Sequence, residues 1–517
     1  MQSMDRKSSF DAQAVLRVPI GARSIETDAL RANASESGTE SPSIVEVGPT
    51  GVAALDPCVA ATIGGRTAFF ADPDRARVEA LAESLARDEL LTDGATAVVE
   101  HDSGTTTLPG DEDAPFAIGR GRVVGACGWT RPTSVADYTA RGPVLADESG
   151  ERVERAADAG LRGRGRGDIA TDEPVGEYWE TAASTDGEAV VVVNANEADP
   201  RVTVDSLLLA ADPLAVLDPA VAVADRVGAA DVVVYCNEDD ECVHRTAAEA
   251  AARLEGAGDG DVSIDVVAGP DEYAAGEPTM ALEALEGADR IEARRTPPGP
   301  SEYGLYGRPT VIHTPRTLAQ LRALALEDGR VGDDADPGTR LFEVGGDLGP
   351  STVVEVPTDE TLATAIKPLG VDEAALACVG GVFGGLTETL DVSANATALA
   401  AAGLGTNGAI ELFGKDRCPV ALAGRRAAFA RETNCGRCVP CREGATQLAD
   451  LLRSTYEREE AIDEARELAR VMERSSLCGF GRDAARPTTT ALEAFETEFV
   501  AHANGRCPAG ECDGGNA

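Results

Sequence analysis

Lysine is nearly missing from this chain. Of its 517 residues only Lys7, Lys367 and Lys415 are lysine, so arginine supplies almost all of the 46 basic residues that face 89 acidic ones. A formal charge of −43 argues against nucleic acid or an anionic membrane surface as a partner, because both would be repelled. The same balance suits a cytoplasm at very high salt, where carboxylates hold water and molar salt screens their repulsion. Aromatic residues make up only 4%. No apolar run reaches the roughly 18 residues of a membrane-spanning helix, so direct membrane insertion is not expected. The N-terminal MQSMDRKSSFDAQ lacks the basic, apolar and small-residue segments of a secretory signal, and the expected location is cytoplasmic. Twelve cysteines are too few for a disulfide scaffold of this length. In a reducing cytosol, clustered cysteines point to metal.

The length predicts several domains. Residues 1–42 are polar and aperiodic apart from VLRVPI and are read as a disordered arm. Over 43–110, SIVEVGP and RTAFFA read as strands and ADPDRARVEALAESLARDEL as an amphipathic helix, a small α/β unit. Residues 128–330 alternate AVVVVNAN, a helical stretch broken at Pro213, ADVVVYCN, a second helix and VSIDVVAG. That β-α-β-α-β order predicts a doubly wound, Rossmann-like α/β layer whose ligands sit beyond the strand carboxyl ends. Short strands and turns over 338–412 predict a compact α+β domain. Residues 418–503 carry apolar residues at helical spacing (Leu448, Leu451, Leu452, Tyr456; Leu468, Val471, Met472; Leu492, Phe495, Phe499) and predict a four-helix bundle, followed by a 504–517 tail.

Three constellations carry chemistry. In RETNCGRCVPCREG, Cys435, Cys438 and Cys441 lie between two bundle helices, and Cys478 lies in SSLCGFGRD between the next two. Four thiolates from two loops suit a tetrahedral zinc or a cubane [4Fe-4S] cluster; the C-x2-C-x2-C run favours the cubane, with zinc the competing reading. Arg437, Arg442 and Arg482 stand ready to offset cluster charge. The second constellation is GLRGRGRGDIAT, whose Gly163, Gly165 and Gly167 let backbone amides approach a phosphate beside Arg162, Arg164 and Arg166. Asn194, Asn196, Glu197 and Asp199 close the first strand of the layer, where such a fold binds its ligand, and together these residues predict a nucleotide or flavin site. Third, YAAGEPTMALEALEG offers Tyr273 and Glu277, equally readable as a capped helix and as ligand contacts.

These motifs in this order, with GLYGRPTV, GLGTNGAI and LCGFGRDAA, resemble the flavoprotein subunit of respiratory complex I and its relatives in NAD-linked hydrogenases and formate dehydrogenases, over roughly residues 128–502. The resemblance implies an oxidoreductase subunit in which NADH or another donor passes electrons through FMN to a [4Fe-4S] cluster on Cys435, Cys438, Cys441 and Cys478. It assigns FMN to the 163–167 loop with Asn194, Asn196 and Glu197. It also implies a ubiquitin-like SLBB domain at 338–412 and partner subunits carrying further iron–sulfur centres. VEVGPTGVAALDP looks like the thioredoxin-like module of the hydrogenase-type relatives, with Pro49 and Ala53 where cysteines are expected. The chain departs from the pattern elsewhere. A Gly-Ala-Gly-Phe-Pro-Thr-Gly continuation of the flavin loop is replaced by Arg166 to Asp172, its lysine has no counterpart, and Asn196, Pro278, His313 and Thr314 replace an aspartate, a glutamate and two asparagines. The tail GRCPAGEC looks like the start of a ferredoxin extension, and its two cysteines are too few for a cluster. A second reading, from a different class, is a repurposed non-catalytic subunit that retains a structural [4Fe-4S] cluster without flavin or NADH.

Overall fold

A computed structural model describes residues 8–20, 42–110, 120–144, 150–256, 262–326, 331–371, 374–455 and 460–512. Its architecture is multidomain α/β, with three main sheets and a helical C-terminal region. The first sheet has the order β2-β1-β3-β4-β5, built from β1 (Ala14–Pro19), β2 (Ser43–Val47), β3 (Cys58–Ile63), β4 (Arg66–Ala71) and β5 (Ala97–Glu100). Strand β1 is parallel to β2 and antiparallel to β3. Helix α1 (Arg75–Leu85) buries Val78, Leu81 and Leu85 on this sheet and is capped by Asp74, which accepts from the Arg77 N–H at 2.8 Å.

Strand β1 falls inside the arm read as disordered. Six residues flanked by polar sequence carry little local signal, but pairing on both edges satisfies their backbone, and Val15, Leu16 and Val18 are buried. The remainder of that arm, from 21 to 41, lies outside the described residues, as do residues 1–7.

The second sheet is all parallel, in the order β8-β7-β6-β9: β6 (Val190–Ala195), β7 (Asp231–Asn237), β8 (Ser263–Gly269) and β9 (Thr310–His313). Every residue of β6 is buried, as a central parallel strand covered on both faces requires. Helix α2 (Val175–Ser184) precedes it. Helices α3 (Val204–Ala211) and α4 (Leu214–Val227) follow it, bent by 97° where Pro213 interrupts the helical hydrogen bonds. Helix α5 (Glu241–Glu255) connects β7 to β8, α6 (Pro278–Leu285) follows β8, and α7 (Pro315–Leu326) follows β9. No single helix among the described residues is long and apolar enough to cross a membrane.

A two-residue pair, β10 (Gly332–Asp333) with β11 (Asp336–Pro337), leads into the third sheet, β13-β12-β16-β14-β15. It contains β12 (Thr339–Gly346), β13 (Thr352–Pro357), β14 (Leu376–Val379), β15 (Gly385–Thr387) and β16 (Ala409–Phe413), around a core that includes Phe342, Leu362, Leu399 and Leu412.

The C-terminal region packs α8 (Pro419–Thr433), α9 (Val439–Ser454), α10 (Glu460–Ser475), the short α11 (Gly479–Asp483), α12 (Arg486–Ala494) and α13 (Glu496–Ala503). Leu448, Leu452, Met472, Leu492, Phe495 and Phe499 are buried there, and Leu451 and Leu468 are partly covered. Val471, predicted in the core, is 40% exposed instead. Its neighbour Met472 takes the inward position, and at about 100° per residue two adjacent side chains cannot share one narrow apolar stripe. Tyr456 lies outside the described residues.

Candidate functional site

The glycine-rich loop sits across the carboxyl ends of β6 and β9, tied there by the Ile169 N–H donating to the Ile312 carbonyl at 3.0 Å. Its tight path requires glycine. A Cβ on Gly163 would lie 2.4 Å from the Ala170 carbonyl oxygen, and Gly165 has φ +81°. The three loop arginines have different fates. Arg162 donates to the Ala335 and Asp172 carbonyls. Arg164, only 3% exposed, pairs with Asp336 at 2.7 Å and donates to the Pro337 carbonyl. Both therefore brace the loop against the segment at β11, and neither lines the cavity described below. Arg166 behaves otherwise. Its guanidinium lies 3.8 Å from the Tyr273 ring centroid, and its buried Nη2 has no hydrogen-bond partner.

Arg166 lines a cavity of about 470 Å³ with Asp168, Thr171, Glu277, Thr279, Cys478 and Arg482. That volume lies within the usual range for small-ligand pockets. A half-buried guanidinium that lines the cavity and has one unpartnered nitrogen is complementary to a phosphate, so the residues present fit a phosphate-bearing flavin.

The other expected contacts are used within the protein. Asn194 Nδ2 donates to the Gly167 and Gly276 carbonyls at 3.0 and 3.1 Å, and Asn196 Nδ2 donates to the Pro270 carbonyl at 2.9 Å. The loop amides of Arg164 and Arg166 donate to Thr317 Oγ1 and Asn407 Oδ1. Glu197 accepts from the Asp205 and Ser206 amides at the start of α3 and pairs with the buried Arg316, which Asp205 also holds. Burial and the neighbouring Asp205 push the Glu197 carboxyl up, against the pull of Arg316. Asp199 accepts from Asn407 Nδ2 at 2.8 Å, so NANEADP, GLGTNGAI and the glycine loop form one hydrogen-bonded unit. Glu277 caps α6 through the Thr279 and Met280 amides, each at 3.0 Å, and burial pushes its carboxyl up. Tyr273 is buried edge-on against Phe383, Phe429 and Phe480.

An arrangement absent from the sequence reading lies beneath the loop. Asp168 accepts from the Ala170 and Thr314 amides and faces His313 Nδ1 at 3.0 Å, while the Trp179 indole donates to His313 Nε2 at 2.7 Å. An indole nitrogen only donates, so Nε2 bears the lone pair, Nδ1 carries the proton, and the imidazole is neutral. Asp168 and His313 had signalled only a departure from the family motif; 145 residues separate them.

The four expected cluster cysteines converge. Cys441 feels Cys438, Cys478 and Cys435, and burial, followed by these neighbours, pushes its thiol up. Burial, then Glu277, pushes Cys478 up to about 12, while the amides of Gly481 and Phe480 donate to its sulfur. Four thiols gathered from two loops offer the donor set of a metal centre. Cys438 is the N-cap of α9, so the positive end of a 16-residue helix faces the group. Gly481 cannot be larger: a Cβ there would stand 2.8 Å from Cys441 Cβ. Arg442 donates to the Gly436 carbonyl and Arg482 to those of Ser476 and Leu477, bracing the two loops, and Arg437 lies 3.8 Å from Glu292.

A second group, Cys418, His502, Cys507 and Cys512, has donor atoms all within 4.8 Å of one another. The two tail cysteines, too few for a cluster by themselves, thus lie beside two further donor side chains, Cys418 and His502, which gave no spacing signal, being 84 residues apart.

A parallel α/β layer whose glycine loop shares a cavity with a cysteine-bearing helical region defines an iron–sulfur flavoprotein architecture. Residues 156–323 match the family described as the Nuo51 FMN-binding domain, and residues 421–502 the NADH-ubiquinone oxidoreductase-F iron-sulfur binding region. An NADH-quinone oxidoreductase subunit of Mycobacterium tuberculosis is 31% identical over 385 residues, covering 68% of this chain and 84% of that protein. The HndC subunit of the NADP-reducing hydrogenase of Solidesulfovibrio fructosivorans is 28% identical, with 75% and 84% covered. The α subunit of the NAD-reducing hydrogenase HoxS of Cupriavidus necator is 26% identical, with 70% and 62% covered. A solved NAD+-reducing [NiFe]-hydrogenase chain shares the fold with a TM-score of 0.65 over 96% of this chain, at 22% identity. The chain belongs to the family of these NADH-quinone oxidoreductase and hydrogenase subunits, with an FMN-binding domain and an iron–sulfur region.

Proposed function

We propose that this chain is the electron-entry subunit of an oxidoreductase complex, taking electrons from NADH or another donor through FMN to a [4Fe-4S] cluster on Cys435, Cys438, Cys441 and Cys478. The observation that carries this reading is the shared cavity, which Arg166 and Asp168 line together with Cys478 and Arg482. When bound, FMN supplies the conversion between paired and single electrons. The chain's own residues do the placing. Arg166 offers its unpartnered nitrogen to a phosphate, the Asn194–Gly167–Gly276 bonds fix the loop over the strand ends, and the Cys478 loop keeps the cluster side adjacent. Other subunits carrying iron–sulfur centres would receive the electrons, in the cytoplasm.

The domain reading is part of the proposal. The FMN layer occupies 128–330, the ubiquitin-like SLBB domain 338–412 and the iron–sulfur bundle 418–503. The parallel β1–β2 pair, extended by antiparallel β3 and β4, supports a thioredoxin-like module that begins at β1 rather than at residue 43.

One observation favours the second reading, a subunit without flavin: the Asn194 and Asn196 side-chain nitrogens, the Glu197 carboxylate and the Arg164 and Arg166 amides already have partners within the protein. Anaerobic purification in molar salt, with FMN, iron and sulfide quantified together, separates the two. Near-stoichiometric FMN with NADH oxidation by an artificial acceptor supports electron entry. A fully loaded cluster without flavin, even after FMN is supplied, sinks it in favour of the non-catalytic subunit.

A further inference from the structure

We propose that the N-terminal sheet carries a binding site, centred on Arg17, for the phosphate or carboxylate group of a small soluble anion. Strand alternation creates the site. On β1, Leu16 and Val18 pack toward α1, so Val15 and Arg17 face the opposite side of the sheet, where Trp129 lies. Arg17 is 2% exposed there, with its guanidinium 3.5 Å from the Trp129 ring centroid. It lines a cavity of about 350 Å³ with Phe10, Thr62, His101, Ser103 and Trp129. That volume reaches the range of small-ligand sites.

The charge of the cavity sets its preference. Arg17 Nε donates to the Trp129 carbonyl at 2.9 Å and Nη1 to Thr62 Oγ1 at 3.2 Å, which leaves Nη2 without a partner among the described residues. Arg164, Arg316, Arg340 and Arg426 are about as deeply buried, and each pairs with an aspartate or glutamate. Arg17 does not. Asp137, whose charge reaches it, is already held by Arg131 at 2.8 Å and by Ser9. A buried cation without its own counter-charge is costly, and a bound anion offsets that cost. No acidic side chain lines the cavity, in a chain with 89 acidic residues. A run of hydrogen bonds holds the arginine in place. The Asp102 carbonyl can only accept, so His101 Nδ1, 2.9 Å away, carries the proton; Nε2 then accepts from Thr67 Oγ1, which accepts from Thr62, which accepts from Arg17. The free edge of a guanidinium fixed in this way suits carboxylate or phosphate oxygens.

The register places the cavity at the amino end of β1. Val15 pairs with Thr62 and Ala14 with Ile63; the turn at Gly64 and Gly65, with φ +55° and +83°, returns the chain to Arg66, opposite Glu100, so His101 arrives beside it. A Cβ on Gly65 would stand 2.5 Å from the His101 carbonyl oxygen, so the turn closes onto His101 only with glycine. Pro49 and Ala53 follow β2, whose Val47 pairs with Pro19 at the other end of β1. The site is therefore separate from the positions where the thioredoxin-like module would carry cysteines. It also shares no lining residue with the Arg166 cavity.

The test is calorimetric titration of the full-length protein, purified anaerobically, with inorganic phosphate, adenosine monophosphate and citrate at constant ionic strength. Arg166 also offers a donor to phosphate, so the titrations are made in Arg166→Ala protein. One equivalent of at least one probe is expected to bind. Equal affinity for phosphate and the nucleotide assigns the phosphate group alone, tighter nucleotide binding assigns an organic phosphate, and binding of citrate alone assigns a carboxylate. Adding Arg17→Gln is expected to weaken binding by about 10-fold or more, the loss that follows removal of a hydrogen bond to a charged group. Should that variant not fold, Ser103→Glu at the exposed rim sets a carboxylate against Arg17 and is expected to abolish binding without lowering the melting temperature of the anion-free protein. Binding of none of the three probes overturns the proposal. So does affinity that a folded Arg17→Gln or Ser103→Glu variant leaves unchanged, or a response that chloride at the same concentration reproduces.

Discussion

Replacing Arg166 by alanine separates the cavity-facing arginine from its structural neighbours. Arg166 Nη2 is buried without a partner at the cavity edge, whereas Arg164 is locked to Asp336 and Pro337. A hydrogen bond to a charged group contributes about 1.5–3 kcal/mol, or about 10- to 150-fold in affinity. Arg166→Ala should therefore raise the dissociation constant for FMN by that factor and leave the melting curve nearly unchanged. Arg164→Ala should do the opposite in kind. It leaves Asp336 with only Arg340 and the Ala396 amide in a buried cluster, at a cost of about 3–5 kcal/mol, and flavin loss would then follow unfolding. The assay is titration of flavin-depleted protein followed by quenching of flavin fluorescence, run in dilute buffer and in molar salt. A buried contact should lose little of its strength in salt, because screening acts chiefly on exposed charges. Unchanged FMN affinity in Arg166→Ala, with the fold intact, would refute the assignment of this side chain to the phosphate.

Two further perturbations test the frame around the loop. Burial pushes the Asp336 carboxyl up, but Arg164, Arg340 and the Ala396 amide outweigh it and hold the group at about 2, below its ordinary 3.8. The unfolded chain therefore binds more protons across that interval, so the stabilisation is complete above about pH 4 and is lost as pH falls through 2. The stability gap between wild type and Asp336→Asn, followed by circular dichroism, should shrink by about 2 kcal/mol between pH 5 and 2; a constant gap would contradict the ion-pair account. His313→Leu should leave the Trp179 indole and the Asp168 carboxylate each short of a partner. A loss of about 2–5 kcal/mol is expected in denaturant melts read by tryptophan fluorescence, and a change under 0.5 kcal/mol would show that the Asp168–His313–Trp179 chain does not hold the loop.

The sequence by itself determined what depends on neighbours along the chain. Four consecutive valines made β6 a buried strand, Pro213 broke the helix after it, and C-x2-C-x2-C brought Cys435, Cys438 and Cys441 to the start of one helix. Tertiary structure decided what distant residues do to one another. Three arginines in one loop look alike in sequence, yet only the approach of the β11 segment turns Arg164 into a brace and leaves Arg166 at the cavity. Glu197 looked open to a ligand until folding set Arg316 beside it, 119 residues on. VLRVPI in the N-terminal arm was illegible as a central strand because both of its pairing partners are remote. Cys418 and His502 came within reach of each other and of the tail cysteines only when the last helix and the tail returned to the first helix of the bundle. Local periodicity is written in a few consecutive side chains, but a charge or a thiol takes its role from whatever the fold places within a few ångströms, and that distance is not a property of the sequence alone.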